Sequence, residues 1–349
     1  MDLTTLEKAY WRRQPYHGEL HDHAATGGTS DGLRSLSHWK LAMHAWKMDF
    51  AAILDHRQVR HMFLPEWEDT SFICGTEPGT HILDVSPQCK VSDIHYNMLF
   101  PTPEPLMELL SEFAEYEYTG GTEGHFVYPS FTRERMGQLI DAVKAKGGLW
   151  VHPHPKQVMD SSEPMDYFFR DDTGLEVFYN RYDTRVTKDN YALWLELLAL
   201  GKRIWACAGG DFHCCATNQA LTTVYAEDNT CPSLLSHIRT GDFVCGSVGI
   251  RMCIGDTRMG GIADFEDATL LAVVDDFHDT AHLTYHNFRF DLWDDTGVQA
   301  SASFSCEKPF TFQFRVNSDA KFYRIEIIDE TQGLPIALGN PIWNQKYCR

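Results

Sequence analysis

Histidine is the unusual residue of this chain, with 17 in 349 positions. Imidazole is the commonest metal ligand and the side chain that exchanges protons near neutral pH. His21 and His23 lie one residue apart at the end of a short run, GELHDH. Residues i and i+2 of an extended strand face the same side, so both rings can reach one cation with little backbone distortion. Asp55-His56 follows an apolar run in DFAAILDHR, Glu77 closes SFICGTE, and His152 and His154 sit in GLWVHPHP. Asp211 and His213 end RIWACAGGDFH, while His95 opens HYNMLF. Pro153 limits the backbone just after His152. Any one of these groups alone reads as a hydrogen-bonded structural residue. Together they call for cations, because burying many imidazoles and carboxylates without one is costly in desolvation. Mixed nitrogen and carboxylate sets suit a multinuclear site of divalent transition metals, Mn, Zn or Fe, better than Ca, which takes all-oxygen shells.

The elements that must position these residues alternate. Strands are expected over 18–23, 49–57, 71–77, 95–100, 148–155, 174–180 and 203–213. Helices are expected over 33–46 and 132–148, with Thr132 as N-cap and Gly147-Gly148 as the stop, and over 191–200, ended by Gly201. A shorter helix is expected near 106–113, followed by a loop with Gly120-Gly121. Alternation of this kind implies an α/β fold with a mainly parallel sheet and helices outside. Most of the strands end in His, Asp or Glu, which gathers polar residues at the C-terminal mouth of a barrel rather than at one switch point of an open sheet. From residue 250 the texture becomes all-β: TLLAVVDDF, HLTYHNFRFDLW, SASFSC, PFTFQFRV and FYRIEIID alternate, with DDTG and ETQG as turns. Two domains are therefore expected: residues 1–248 as the barrel and 249–349 as a small all-β sandwich.

Composition bounds the partners. Hydrophobic residues make up 43% and charged residues 23%, enough apolar material for a large core. The net charge is −19, and both portions are acidic, which argues against a double-stranded nucleic-acid footprint. No apolar run is long enough to span a bilayer, so no membrane is expected. The N-terminal residues lack a signal core, and the ten cysteines form no CxxC pair. A cytoplasmic protein with reduced thiols is the expectation. The expected partner is a small-molecule substrate.

The ordered set ELHDHAATGGTSDG, LDH, GTE, His95, VHP, GLEV, GGDFH resembles the PHP (polymerase and histidinol phosphatase) superfamily over roughly residues 15–215. That resemblance implies a distorted (β/α)7 barrel and a metal-dependent phosphoesterase. Gly-Glu-Leu-His-x-His and the β-rich tail resemble the CehA/McbA-type branch, which includes carbamate-ester hydrolases. By resemblance, His21, His23 and Asp211 hold a first metal, Glu77 bridges it to a second, and His95 and His152 complete the second. Asp31, His56 and His213 hold a third. The family places the Asp of SDG a few residues after the second His. Here Ala24–Thr29 lengthens that loop, and without Asp31 the site is binuclear.

Glu77, Asp211 and Asp55 are the expected catalytic carboxylates, with Asp55 either orienting an imidazole or capping neighbouring backbone. Glu176 reads as structural or as a support to the ligands. Arg57, Lys156 and Arg181 lie in loops at the expected mouth and suit phosphate oxygens. His154 and His17 lie beside ligand motifs, His154 as a substrate-binding candidate. The 101–131 segment, with Tyr116, Tyr118, His125 and Tyr128, is long enough for a lid. A water bridging two cations has its pKa lowered from ~15.7 toward ~7, which makes hydroxide available at neutral pH. No GxSxG supports an acyl-enzyme route. The favoured reading is hydrolysis of a small phosphoester. The alternatives are a carboxyl or carbamate ester at the same metals, and a non-catalytic metal-binding module. An amidohydrolase-type barrel also begins with HxH, but it needs a carbamylated Lys or comparable bridge, a place that GTE fills here.

Overall fold

The computed structural model describes residues 2–84, 93–116, 128–155, 168–214, 221–278 and 287–348. The first apolar runs are strands: β1 (Gln14–Asp22), β2 (Phe50–Ile53) and β3 (Phe72–Thr76). Next come β4 (Gly79–Ile82), β5 (Asp93–His95), β6 (Asn97–Phe100) and β7 (Ser130–Phe131). They are followed by β8 (Leu149–His152), β9 (Thr173–Tyr179), β10 (Ile204–Gly209), β11 (Thr222–Ala226) and β12 (Phe243–Gly246). Every residue of β2, β3, β8 and β10 is buried, as unbroken apolar runs require when both faces are covered.

The order β10-β9-β8-β6-β3-β2-β1-β11-β12 forms one part of a larger sheet. Beyond the end of β1 the chain meets the chain beyond β10. Asp22 and Phe212 make an isolated parallel bridge, and the Asp211 and His23 amides donate to the His21 and Phe212 carbonyls at 2.7 and 3.0 Å. The end of β10, at one edge of this part of the sheet, thus lies beside the end of β1, six places away in the strand order.

The sheet is mixed, not mainly parallel. β1, β2 and β3 run parallel, as do β8, β9 and β10, but β6 is antiparallel to both β3 and β8. A parallel neighbour needs a crossover, commonly a helix. Between β3 and β6 the chain instead makes an excursion through β4 and β5, which join β7 in a separate three-stranded sheet. The expected run 95–100 is accordingly split at Tyr96, and His95 ends a strand rather than beginning one.

Helices lie where turn chemistry permits. Ser35 caps Leu36–Trp46, which ends on Lys47 at φ +54°. Leu36, Trp39 and Met43 pack with Ala51, Ile53 and Phe72 from the strands beneath. Thr132 caps Arg133–Ala145, as its position predicts. The third helix spans Arg185–Ala199 and begins earlier than expected, because Thr184 caps a first turn whose residues carry little apolar periodicity. Pro103–Glu112 and Cys231–Ile238 are shorter helices, each with Pro in its first turn. Among the described residues no helix is long and apolar enough to cross a membrane.

The C-terminal alternation forms strands. They are β13 (Val248–Ile254), β14 (Thr257–Arg258), β15 (Ile262–Ala263), β16 (Thr269–Phe277), β17 (Phe288–Asp294) and β18 (Gly297–Phe304). The last four are β19 (Phe310–Arg315), β20 (Phe322–Asp329), β21 (Leu334–Gly339) and β22 (Ile342–Asn344). β14-β13-β16-β19 is a separate sheet, but β21, β20, β17 and β18 continue the large sheet beyond β12. Ile250 and Val274 from the small sheet share one core with Phe290, Ile325 and Ile327 from the large one.

A buried carboxylate ties these parts together. Asp242 accepts from Arg13, ahead of β1, at 2.7 Å and from Arg258 of β14 at 2.6 Å. Its Ala variant leaves both guanidiniums without this partner, and a loss of roughly 3 kcal/mol is expected. Urea unfolding measures it; an unchanged midpoint would refute the role.

Candidate metal centre

The strand ends bring the site together from across the sequence. His21 lies on β1 and His23 just beyond it, His56 follows β2, Glu77 follows β3, and His95 ends β5. His154 follows β8, and Asp211 and His213 follow β10. Three groups of potential ligand atoms result: His21, His23, Glu77 and Asp211; Glu77, His95 and His154; and His23, Asp31, His56 and His213.

Glu77 joins the first two groups through its two oxygens. Oε2 lies 3.2 Å from Nε2 of both His21 and His23. Oε1 lies 3.0 Å from His95 Nδ1 and 3.3 Å from His154 Nε2. Asp211 Oδ1 stands 3.1 Å from His23 Nε2 and 3.5 Å from His21 Nε2, and its Oδ2 is 3.7 Å from His154 Nε2. In the third group, Asp31 reaches His213 Nε2 at 3.2 Å and His56 Nε2 at 3.5 Å. The lengthened 24–31 loop therefore delivers Asp31 to the cluster.

Electrostatics favour cation binding. Burial alone would raise the Glu77 carboxyl pKa, yet His21, His95 and His56 hold it well below the ordinary value. Asp211 and Asp31 are likewise lowered: burial opposes this, but His21 and His23 outweigh it at Asp211, and His213 and His56 do so at Asp31. Burial would lower the His21 pKa, but Glu77, Asp211 and Glu176 raise it well above normal. His23 and His56 are raised against burial by the same kind of partner, and His213 is raised chiefly by Asp31. His21 Nε2 is buried and makes no hydrogen bond, although two carboxylate oxygens stand close to it. These residues fit divalent cations of the kind that accept imidazole and carboxylate ligands together. The site is a candidate multinuclear metal centre.

Several residues stand elsewhere than the sequence suggests. His154, not His152, meets Glu77 and His95. His152 still belongs to β8, and its ring packs 4.7 Å from that of Phe169. Burial pushes its pKa down to about 3. After Pro153 the backbone turns, with His154 at φ +28°, and this turn aims the second histidine into the site. Asp55 does not orient His56. It accepts from the Ala24 amide at 2.8 Å and from the Thr26 hydroxyl, and lies 3.5 Å from His61 Nδ1. His56 is oriented instead by the Glu77 carbonyl, 2.9 Å from its Nδ1. Arg181 is exposed and gripped at both ends of its guanidinium by Asp183 at 3.0 Å. Arg57 is half-buried beside His56, at φ +52°. Lys156, Tyr118 and His125 lie outside the described residues. His17 sits apart, with Nδ1 2.9 Å from the Thr223 hydroxyl and Nε2 2.8 Å from Asp276.

Two phenols join the site. Tyr179 donates to Asp211 Oδ2 at 3.0 Å, and the Tyr128 hydroxyl lies 3.0 Å from His95 Nε2. Tyr179 ends β9, the one signal that marks it in the sequence. Tyr128 is marked in the sequence only as one residue of the long 101–131 segment.

No family model matches this sequence, and no curated protein matches it. Solved structures do. A two-domain protein from Bacteroides vulgatus containing a predicted PHP-like metal-dependent phosphoesterase is 10% identical, with a TM-score of 0.42 over 91% of each chain. An amidohydrolase from Chromobacterium violaceum is 14% identical, with a TM-score of 0.38 over 56% of this chain and 87% of its own. The lesion-specific endonuclease PfuEndoQ from Pyrococcus furiosus is 13% identical, with a TM-score of 0.42 over 65% of this chain and 56% of its own. Likeness at this level establishes neither a family nor an activity.

The geometry generates two expectations. Asp55→Ala releases the loop that carries Asp31, so it should cost one equivalent of bound metal and spare the two Glu77-containing groups. Elemental analysis after dialysis checks this, and full retention would refute it. The second concerns pH. The raised histidines keep their protons to higher pH than free imidazole, so a cation must displace those protons to bind. Affinity should rise from about pH 6 to about pH 8, with protons released. Calorimetry in two buffers of different ionisation enthalpy reads the release; binding with none would contradict it.

Proposed function

We propose that this protein is a metal-dependent hydrolase of the PHP type that cleaves small-molecule phosphoesters. The observation that carries the reading is the placement of Glu77 between two groups of imidazoles, one at each carboxylate oxygen. His21, His23 and Asp211 would hold one cation, His95 and His154 a second, and Asp31, His56 and His213 a third. When bound, the cations supply an activated water at neutral pH and offset charge on the attacked group and on the leaving group.

The residues of the chain do the rest. Glu77 would offer one carboxylate oxygen to each of the first two positions. Asp211, held by Tyr179, faces both the His21/His23 pair and His154. The Glu77 carbonyl fixes which His56 nitrogen faces Asp31. Burial of His21, His23 and Glu77 keeps bulk water from competing for their ligand atoms. Charge favours a phosphoester over a neutral ester. Glu77, Asp211, Asp31 and Glu176 would be outweighed by three divalent cations, which would leave a positive site for anionic oxygens. The carboxyl or carbamate ester is the second reading. It is favoured by the two phenols at the site and by the engagement of Arg181 with Asp183.

Matched chromogenic substrates separate the two readings. With Mn or Zn, nitrophenyl phosphate should turn over, and His21→Ala should lose at least ~100-fold in kcat/KM. Turnover of a nitrophenyl carboxyl or carbamate ester alone would overturn the phosphoester reading. Turnover of neither, with metals bound, would favour a non-catalytic module.

A further inference from the structure

Glu176 is buried on β9 and is in none of the three ligand groups. Its two oxygens nevertheless reach two of them. Oε1 lies 3.1 Å from His21 Nδ1, and Oε2 accepts the His154 backbone N–H at 2.8 Å. Its own carbonyl accepts from Asn190 Nδ2 at 2.8 Å, which ties the strand to the helix Arg185–Ala199. We infer that Glu176 is a positioning residue that prepares both Glu77-containing metal positions at once, a role that rests on the metal-centre reading above.

Three observations support this. The first is chemical. A carboxylate accepts hydrogen bonds and does not donate them, so it draws a proton to His21 Nδ1. Nε2, the nitrogen that faces Glu77 and Asp211, then keeps its lone pair for a cation. The second is conformational. His154 adopts φ +28°, a region that side-chain-bearing residues avoid, and such a backbone persists only where its surroundings over-determine it. The hydrogen bond that the His154 N–H donates to Glu176 supplies that restraint and aims the ring at Glu77. The third is steric. Gly209, at the end of β10, lies against this carboxylate, and a Cβ there would fall on Glu176 Oε1 and press on His21 Cβ. The glycine leaves the space in which Glu176 meets His21.

The variant Glu176→Gln keeps size and burial but changes the hydrogen bonding. Its oxygen can accept from only one of the two donors. If its NH2 group turns to His21, it favours the tautomer with the proton on Nε2, where the cation would sit. The test is zinc binding by the full chain, read by competition with a chromophoric chelator, beside the melting temperature of the metal-free protein. Expected are a ~10–100-fold weaker affinity at the two Glu77-containing positions and an unchanged third equivalent, with the metal-free melting temperature retained. Glu176→Asp, which keeps the charge but draws the carboxylate back from both donors, should reproduce the loss, and it decides the question if the Gln variant does not fold. Wild-type affinity in both variants overturns the inference and leaves the metal centre intact. Equal weakening of all three equivalents, with a lowered melting temperature, also overturns it by showing a merely structural role. A wild-type chain that binds no zinc overturns both this inference and the proposed function.

Discussion

A carboxylate sealed among imidazoles is the constraint on which the rest of this structure depends. Glu77 is essentially inaccessible to water, as are His21 and His23. Ionised groups in such a place are tolerated only when charge or hydrogen bonding compensates for lost hydration. In the protein alone the compensation comes from the neighbouring imidazoles, and the carboxylates in turn raise the proton affinity of His21, His23 and His56. A divalent cation can replace protons there and serve several ligands at once. The same burial that makes the cluster costly without compensation also makes it a strong cation site.

The fold meets this constraint by gathering strand ends. No single element holds a complete ligand group. His21 and His23 share one strand direction, but Glu77 comes from the end of β3, His95 from the small sheet, and Asp211 from beyond β10. Three of the nine described non-glycine residues with positive φ, namely Arg57, His154 and Asp211, lie at or beside the site. Strain of this kind is held by neighbours, and here the neighbours include Glu176 at the His154 amide and the His21 carbonyl at the Asp211 amide. The loop from Ala24 to Asp31 is secured through Asp55, while Ser30 bonds back to the Ala24 carbonyl. A loop that looks too long in sequence becomes a shaped support.

Much of the secondary structure was legible because burial and turn chemistry are local. Fully apolar runs became the inner strands, and Thr132 capped the helix it precedes. The misreadings have equally local causes. Tyr96 and Asn97 look like one run with His95, yet a change of sheet separates them. The first turn of Arg185–Ala199 carries its start signal in Thr184 rather than in apolar spacing. Parallel pairing was over-expected because antiparallel insertion of β6 depends on the excursion through β4 and β5, which leaves no periodic signature.

At the site, the sequence by itself determined the inventory: many histidines and acids placed at strand ends, and a His-x-His pair whose alternation puts both rings on one side. That followed from residue type and the period of a strand. Only the tertiary structure decided which of two neighbouring histidines meets Glu77. His152 and His154 are chemically identical and two residues apart, and the choice lies in the turn after Pro153 and in the bond from Glu176 to the His154 amide. The tertiary structure likewise chose between the two readings of Asp55, setting it on the Ala24 amide rather than on His56, and brought Tyr128 to His95. Side-chain chemistry is written in the residue, but the direction in which it points is set by backbone turns and by partners far away in the chain.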